Sequence, residues 1–131
     1  MKIVCIPAYN EENTISDIVS RSLKFADKVI VCDDGSADST SKKAKDSGAT
    51  VINHVKNSGK GTALKSLFEY IKKSNFEVAV TIDGDGQFLP EEMEKLIEPI
   101  LKNNVDIVIG NRFSNSEEMP GYRKTGNKVL D

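Results

Sequence analysis

Asp83-Gly84-Asp85-Gly86-Gln87 sets two carboxylates two residues apart, directly after the short apolar run 78–82. In a turn just past a buried strand, both can face one small hard cation, and Gln87 adds a neutral oxygen on the same side. Mg²⁺ or Mn²⁺ suits such oxygen ligands, usually shared with substrate phosphates rather than enclosed by protein. Gly84 and Gly86 let the backbone turn sharply and a bulky ligand come close. The plainer alternative is an acidic turn that caps a helix; repulsion between neighbouring carboxylates argues against it. A calcium loop counted from Asp83 would end on Glu94, but it needs glycine where Phe88 stands and a helix where the chain has a strand. A phosphatase with an aspartyl nucleophile is a distant reading, because Gln87 stands where a hydroxyl residue belongs.

Asp33-Asp34-Gly35-Ser36 is a second acidic turn. A carboxylate at a strand end can accept from the N–H groups of a base or from ribose hydroxyls. Asp38 and Ser39 are candidates to cap the next helix instead. Asn57-Ser58-Gly59-Lys60-Gly61-Thr62 looks like a phosphate loop, yet a true one needs glycine at His54. A glycine-rich turn opening a helix still offers N–H groups and a positive dipole end, so phosphate or sugar contact stands beside simple helix initiation. No GxGxxG exists, which removes the dinucleotide oxidoreductases. Arg112, after the run 106–109, could hold a diphosphate in a bidentate manner. His54, the single histidine, is read as a polar rim residue, with no Ser/His/Asp or Cys/His arrangement expected around it.

Those residues must be held by elements, and the chain alternates short β-branched runs with stretches of helical period. The runs are 3–6, 28–32, 50–53 (the weakest), 78–82 and 106–109. Their continuous apolar character predicts strands covered on both faces, as in a parallel sheet. Ile15, Ile18, Val19 and Leu23 share one helical face, as do Leu64, Leu67, Phe68 and Ile71. Met93, Leu96, Ile97, Ile100 and Leu101 form the clearest stripe, with Pro99 expected to kink it. The stretch 37–47 is the weakest helix, since Ala44 is nearly its only apolar contact. The pattern predicts an α/β, doubly wound, mostly parallel sheet with helices on both faces. Such sheets bind ligands beyond the carboxyl ends of their strands, where the carboxylates, glycines and Arg112 collect.

The 131 residues are of single-domain size, and 18 basic against 20 acidic side chains give a net charge of −2. That excludes a strongly basic nucleic-acid binder of the ordinary kind. Cys5 and Cys32 sit in apolar runs, away from metal-ligand spacing, and are read as reduced buried thiols of a cytoplasmic protein. No apolar stretch approaches the ~20 residues of a membrane span, and Pro7 ends the N-terminal run too early for a signal peptide.

Taken together, 6–13, 33–38, 59–61, 83–87 and 110–113 come in the order and spacing of family-2 glycosyltransferases. The chain resembles the branch containing dolichol-phosphate mannose synthases and polyprenyl-phosphate glycosyltransferases over essentially its whole length. The resemblance implies the GT-A fold over 1–131, as a nucleotide-sugar-binding domain expected to stop before the acceptor-binding portion. It implies that Pro7, Tyr9, Glu11, Cys32 and Asp34 hold the donor nucleoside. Asp83, Gly84, Asp85 and Gln87 match the metal and diphosphate positions, with Asp83 and Asp85 the catalytic pair and Arg112 a donor-side arginine. The implied activity is inverting transfer from a UDP- or GDP-sugar to a polyprenyl phosphate or another glycan acceptor, with Mg²⁺ or Mn²⁺ on the diphosphate. The alternative is a fragment that binds nucleotide and metal without turnover. A phosphate acceptor is already an anion and needs no base; a hydroxyl acceptor would need one, and nothing places Glu117 or Glu118 there. The lipid acceptor would bring a cytoplasmic protein to the cytoplasmic face of the membrane.

Overall fold

The computed structural model describes residues 1–85, 90–92, 107–110 and 122–124. Its elements run β1 (Lys2–Ala8), α1 (Ile15–Ser22), β2 (Lys28–Asp33), α2 (Thr40–Asp46), β3 (Thr50–Asn53), α3 (Lys60–Ile71), β4 (Val78–Thr81), a 3-10 turn (Pro90–Glu92), β5 (Ile107–Gly110) and β6 (Tyr122–Lys124). The strands form one sheet in the order β3-β2-β1-β4-β5-β6. All neighbours are parallel except β5 and β6. The doubly wound, mostly parallel sheet expected from the sequence is therefore present. The antiparallel β6 was not anticipated: three residues with one aromatic carry no periodic signal. The Met93 to Leu101 stripe and its Pro99 kink lie outside the described residues.

Alternate strand residues enter opposite layers, as the pleat requires. Val4, Ile6, Ala8, Val29 and Val31 pack with Ile15, Ile18 and Val19 of α1 and Ala44 of α2. Ile3, Cys5, Ile30 and Cys32 pack on the other face with Ala63, Leu67 and Ile71 of α3. Burial on both faces makes the strands read as unbroken apolar runs. β3 read weakly because it is the edge strand and none of its residues is fully buried.

α2 forms despite its thin apolar face because its start is well tied. The Asp38 carboxylate accepts the Thr40 N–H at 2.9 Å and also the Thr40 hydroxyl, while Thr40 and Ala44 are both fully buried. The capping role falls to Asp38, since Ser39 makes no side-chain cap bond.

From β1 the chain winds outward through β2 to β3, then returns across β1 to β4. Connections of fixed hand put the returning helix on the opposite face, which is where α3 lies. The reversal opens a crevice between the carboxyl ends of β1 and β4, where α/β sheets hold their ligands.

Candidate donor-binding site

A cavity of about 400 Å³ occupies this crevice. Pro7, Ala8, Tyr9 and Glu11 line it from the end of β1, Asp34 from β2, Asn57, Gly59, Lys60 and Ala63 from the start of α3, and Asp83, Gly84 and Asp85 from β4. Of the residues expected there, Pro7, Tyr9, Glu11, Asp34, Asp83, Gly84 and Asp85 line this one cavity. Gln87 and Arg112 lie outside the described residues.

The loop after β1 is held open by the loop after β2. Asn10 takes the left-handed conformation (φ 51°), which asparagine tolerates. Its N–H donates to Ser36 Oγ at 2.8 Å, and its Oδ1 accepts the Ala37 N–H at 3.0 Å. The Glu11 N–H donates to Thr40 Oγ1 at 2.8 Å. These bonds present Tyr9, 46% exposed, at the cavity.

Asp34 is the hub of the opposite wall. Its Oδ1 accepts from His54 Nδ1 at 2.7 Å and the Ser58 N–H at 2.9 Å. Its Oδ2 accepts from the Gly59 N–H at 2.7 Å and Asn57 Nδ2 at 3.1 Å. Burial alone would push this carboxyl up, but the bonds from His54, Ser58 and Gly59, with the imidazole charge, hold it below the usual carboxylate range. These bonds engage its roughly four acceptor positions, so a nucleoside contact would have to displace one. They also correct the picture of a glycine-rich turn with free N–H groups: Ser58 and Gly59 donate to Asp34. Glycine is required at two points here. Gly35 (φ +73°) has no room for a Cβ, which would lie 2.4 Å from the Lys56 carbonyl carbon, and Gly59 enters α3 at φ +104°.

Two residues sit differently from the rest of the expected site. Cys32 does not line the cavity; it is fully buried under α3, its thiol pushed up to about 12 by burial and then by Asp34 and Asp33. Cys5 is likewise free and buried, its thiol also near 12. His54 is not a loose rim residue, and an Asp/His/Ser arrangement does exist. His54 Nδ1 meets Asp34, and its Nε2 lies 2.7 Å from Ser66 Oγ and 3.5 Å from Cys32 Sγ. Strand order carried the missed signal. In the parallel β2/β3 pair Asp33 stands beside Asn53, so the next residues, Asp34 and His54, must be neighbours.

At the β4 end, Thr14 Oγ1 donates to the Gly84 carbonyl at 2.5 Å, tying the turn to α1. Lys60 Nζ sits 2.6 Å from Asp83 Oδ1. Gly84 has no positive φ, and a Cβ there would meet its neighbours at 3.4 Å or more, so its backbone does not demand glycine. Glu11 is raised above the ordinary carboxyl range by burial, then by Asp85, Asp38 and Asp83. The cavity floor is therefore rich in negative charge. Among the described residues no group of three or more ligating side chains forms a closed metal cage. Two carboxylates on one open wall fit instead an ion that takes one or two protein oxygens and completes its shell with phosphate and water.

The sequence family described as "Glycosyl transferase family 2" matches residues 3–129. The chain is 34% identical, over 95% of its length and 58% of the relative's, to UDP-N-acetylglucosamine--dolichyl-phosphate N-acetylglucosaminyltransferase of Methanococcus voltae. It is 36% identical, over 95% of its length and 38% of the relative's, to dolichol-phosphate mannosyltransferase of Pyrococcus furiosus. It thus spans about half the length of the curated relatives it matches. Glucosyl-3-phosphoglycerate synthase from Mycobacterium tuberculosis, in complex with Mn²⁺, UDP and glucosyl-3-phosphoglycerate, superposes with a TM-score of 0.63. The identity is 29%, covering 77% of this chain and 39% of that one. The sheet is accordingly of the GT-A type, and the chain belongs to glycosyl transferase family 2.

Proposed function

We infer that this chain is the donor-binding part of an inverting glycosyltransferase that moves a sugar from a UDP- or GDP-sugar to a polyprenyl phosphate. The observation that carries the reading is the cavity at the β1/β4 reversal, where Tyr9, Lys60, Asp83 and Asp85 meet. The exposed Tyr9 ring offers a flat face for a nucleobase. Lys60 and the start of α3 offer positive charge to a diphosphate. Asp83 and Asp85, with Gln87 as the expected third oxygen, would hold Mg²⁺ or Mn²⁺. When bound, that ion neutralises charge on the diphosphate as it departs. Arg112 would add to the same stabilisation. The acceptor phosphate oxygen attacks the anomeric carbon on the face opposite the diphosphate. The carbon–oxygen bond to the donor breaks, and the nucleoside diphosphate leaves with the electron pair. No protein base is required, because the acceptor is already an anion. Such an acceptor would bring the chain to the cytoplasmic face of a membrane; among the described residues no helix is long and apolar enough to cross one.

A second reading, nucleotide and metal binding without turnover, draws on the same cavity, whose lining offers a nucleotide and a cation their contacts. Incubation with labelled UDP-N-acetylglucosamine or GDP-mannose, polyprenyl phosphate and Mn²⁺, followed by solvent extraction, separates the two. Labelled lipid supports transfer. Metal-dependent nucleotide binding with no labelled lipid supports the second reading, and absence of that binding overturns both.

A further inference from the structure

The His54 imidazole lies between two polar groups that the donor-site reading does not use in this way. Asp34 is only 3% exposed, and an ionised carboxylate can only accept, so His54 Nδ1 must carry the proton it shares at 2.7 Å. Its Nε2 meets Ser66 Oγ at 2.7 Å. The His54 side chain is 15% exposed. Its backbone N–H extends the β2/β3 pairing by donating to the Asp33 carbonyl at 2.9 Å, and the Asp34 N–H donates to the Ala8 carbonyl at 2.8 Å. Both ends of the contact are thus fastened to the sheet, while Ser66 belongs to α3. A histidine so placed couples the second turn of α3 to the carboxylate that grips the two residues leading into it.

A Ser/His/Asp geometry raises the question of a nucleophile. Ser66 does not line the cavity, whereas Ala63, one turn earlier, does. The donor cavity therefore brings no substrate to its hydroxyl, and the arrangement serves to position rather than to react.

We propose that His54, braced by Ser66, is a positioning residue that aims the Asp34 carboxylate at the Ser58 and Gly59 amides and so sets where Lys60 enters the donor cavity. The geometry at the far end makes position matter. Lys60 follows Gly59 directly, its Nζ reaches Asp83 across the crevice, and Gly35 packs against the Lys56 and Asn57 backbone with no space to yield. Loosening Asp34 frees the only polar tie that holds both the Ser58 and Gly59 amides among the described residues. The consequence for donor affinity rests on the reading under Proposed function; the consequence for the two amides does not.

Two near-isosteric variants separate the ring's two contacts. In His54→Asn the amide nitrogen takes the place of Nδ1 and keeps the bond to Asp34. In His54→Gln the amide reaches the place of Nε2 and keeps Ser66 but abandons Asp34. Amide hydrogen exchange, read on the full chain without nucleotide, should quicken at Ser58 and Gly59 by about tenfold in His54→Gln, the loss of one bond to a charged group. It should stay near the native rate in His54→Asn. Ser66→Ala, a milder change should either ring variant fold poorly, should quicken the same amides less than His54→Gln does. UDP and GDP titrations with Mn²⁺ should follow the same order. Equal exchange in the Asn and Gln variants, or unaltered amides in His54→Gln and Ser66→Ala, overturns the proposal. Nucleotide binding absent from the native chain, with the amides still responding, sinks the donor reading and leaves the positioning role standing.

Discussion

The two walls of the cavity solve the burial of carboxylate in opposite ways. On the β2 side, Asp34 meets two backbone amides, an asparagine and a histidine, and its carboxyl is held low. On the β4 side, Glu11 shares the crevice with Asp83 and Asp85, and its carboxyl is driven up. The first wall is a finished piece of architecture whose charge is answered from within. The second concentrates negative charge on open surface, which is what a site for a cation and an anionic diphosphate requires. Substitutions should therefore act on folding at one wall and on ligand binding at the other.

The largest effect on stability is expected at the hub. Asp34→Ala leaves the Ser58 and Gly59 N–H groups without their acceptor and the Asn57 amide with only the backbone carbonyl at 34, at a cost of about 3 kcal/mol. Urea unfolding followed by circular dichroism reads this as a lower midpoint; an unshifted midpoint would erase the distinction between the walls. Next comes Gly35→Ala, where both the positive φ and the 2.4 Å approach to Lys56 must be relieved. A loss of about 2 kcal/mol is expected in the same measurement.

The smallest effect sharpens the comparison through pH. Because the folded Glu11 carboxyl is raised, the stability it provides is complete below its unfolded value, roughly pH 4.3, and is lost as pH rises through the folded value. Glu11→Gln should therefore be slightly more stable than the native chain at pH 7 and no more stable at pH 4. Asp34 has the opposite sign: its contribution is present above the unfolded value and fades as pH falls through the lowered folded one. Thermal melts across that range check both signs, and a Glu11→Gln gain at pH 4 that vanishes at pH 7 would refute the assignment.

Much of this was legible in the residues, and the reason differs from place to place. Apolar runs and helical stripes revealed β1, β2, β4, α1 and α3 because two covered faces leave a continuous hydrophobic record. Turn residues at the strand ends pointed to the cavity because topology sends them all to one edge. What escaped notice depended on register and on three-dimensional neighbours. His54 looked isolated because its partners lie 20 residues before it and 12 after it. The side chain of Cys32 faces α3 rather than the cavity because the pleat turns successive residues to opposite faces. β6 escaped because a short antiparallel strand is specified by its pairing with β5 rather than by its own three residues.

The central claim is tested most directly by calorimetric titration of UDP and GDP into the native chain and Asp85→Ala, each with and without Mn²⁺. The expected result is that Mn²⁺ tightens binding of at least one nucleotide to the native chain by about tenfold or more, a difference of about 1.4 kcal/mol. Asp85→Ala should lose that increment while still unfolding cooperatively. Nucleotide affinity that ignores both the metal and the substitution would contradict the account.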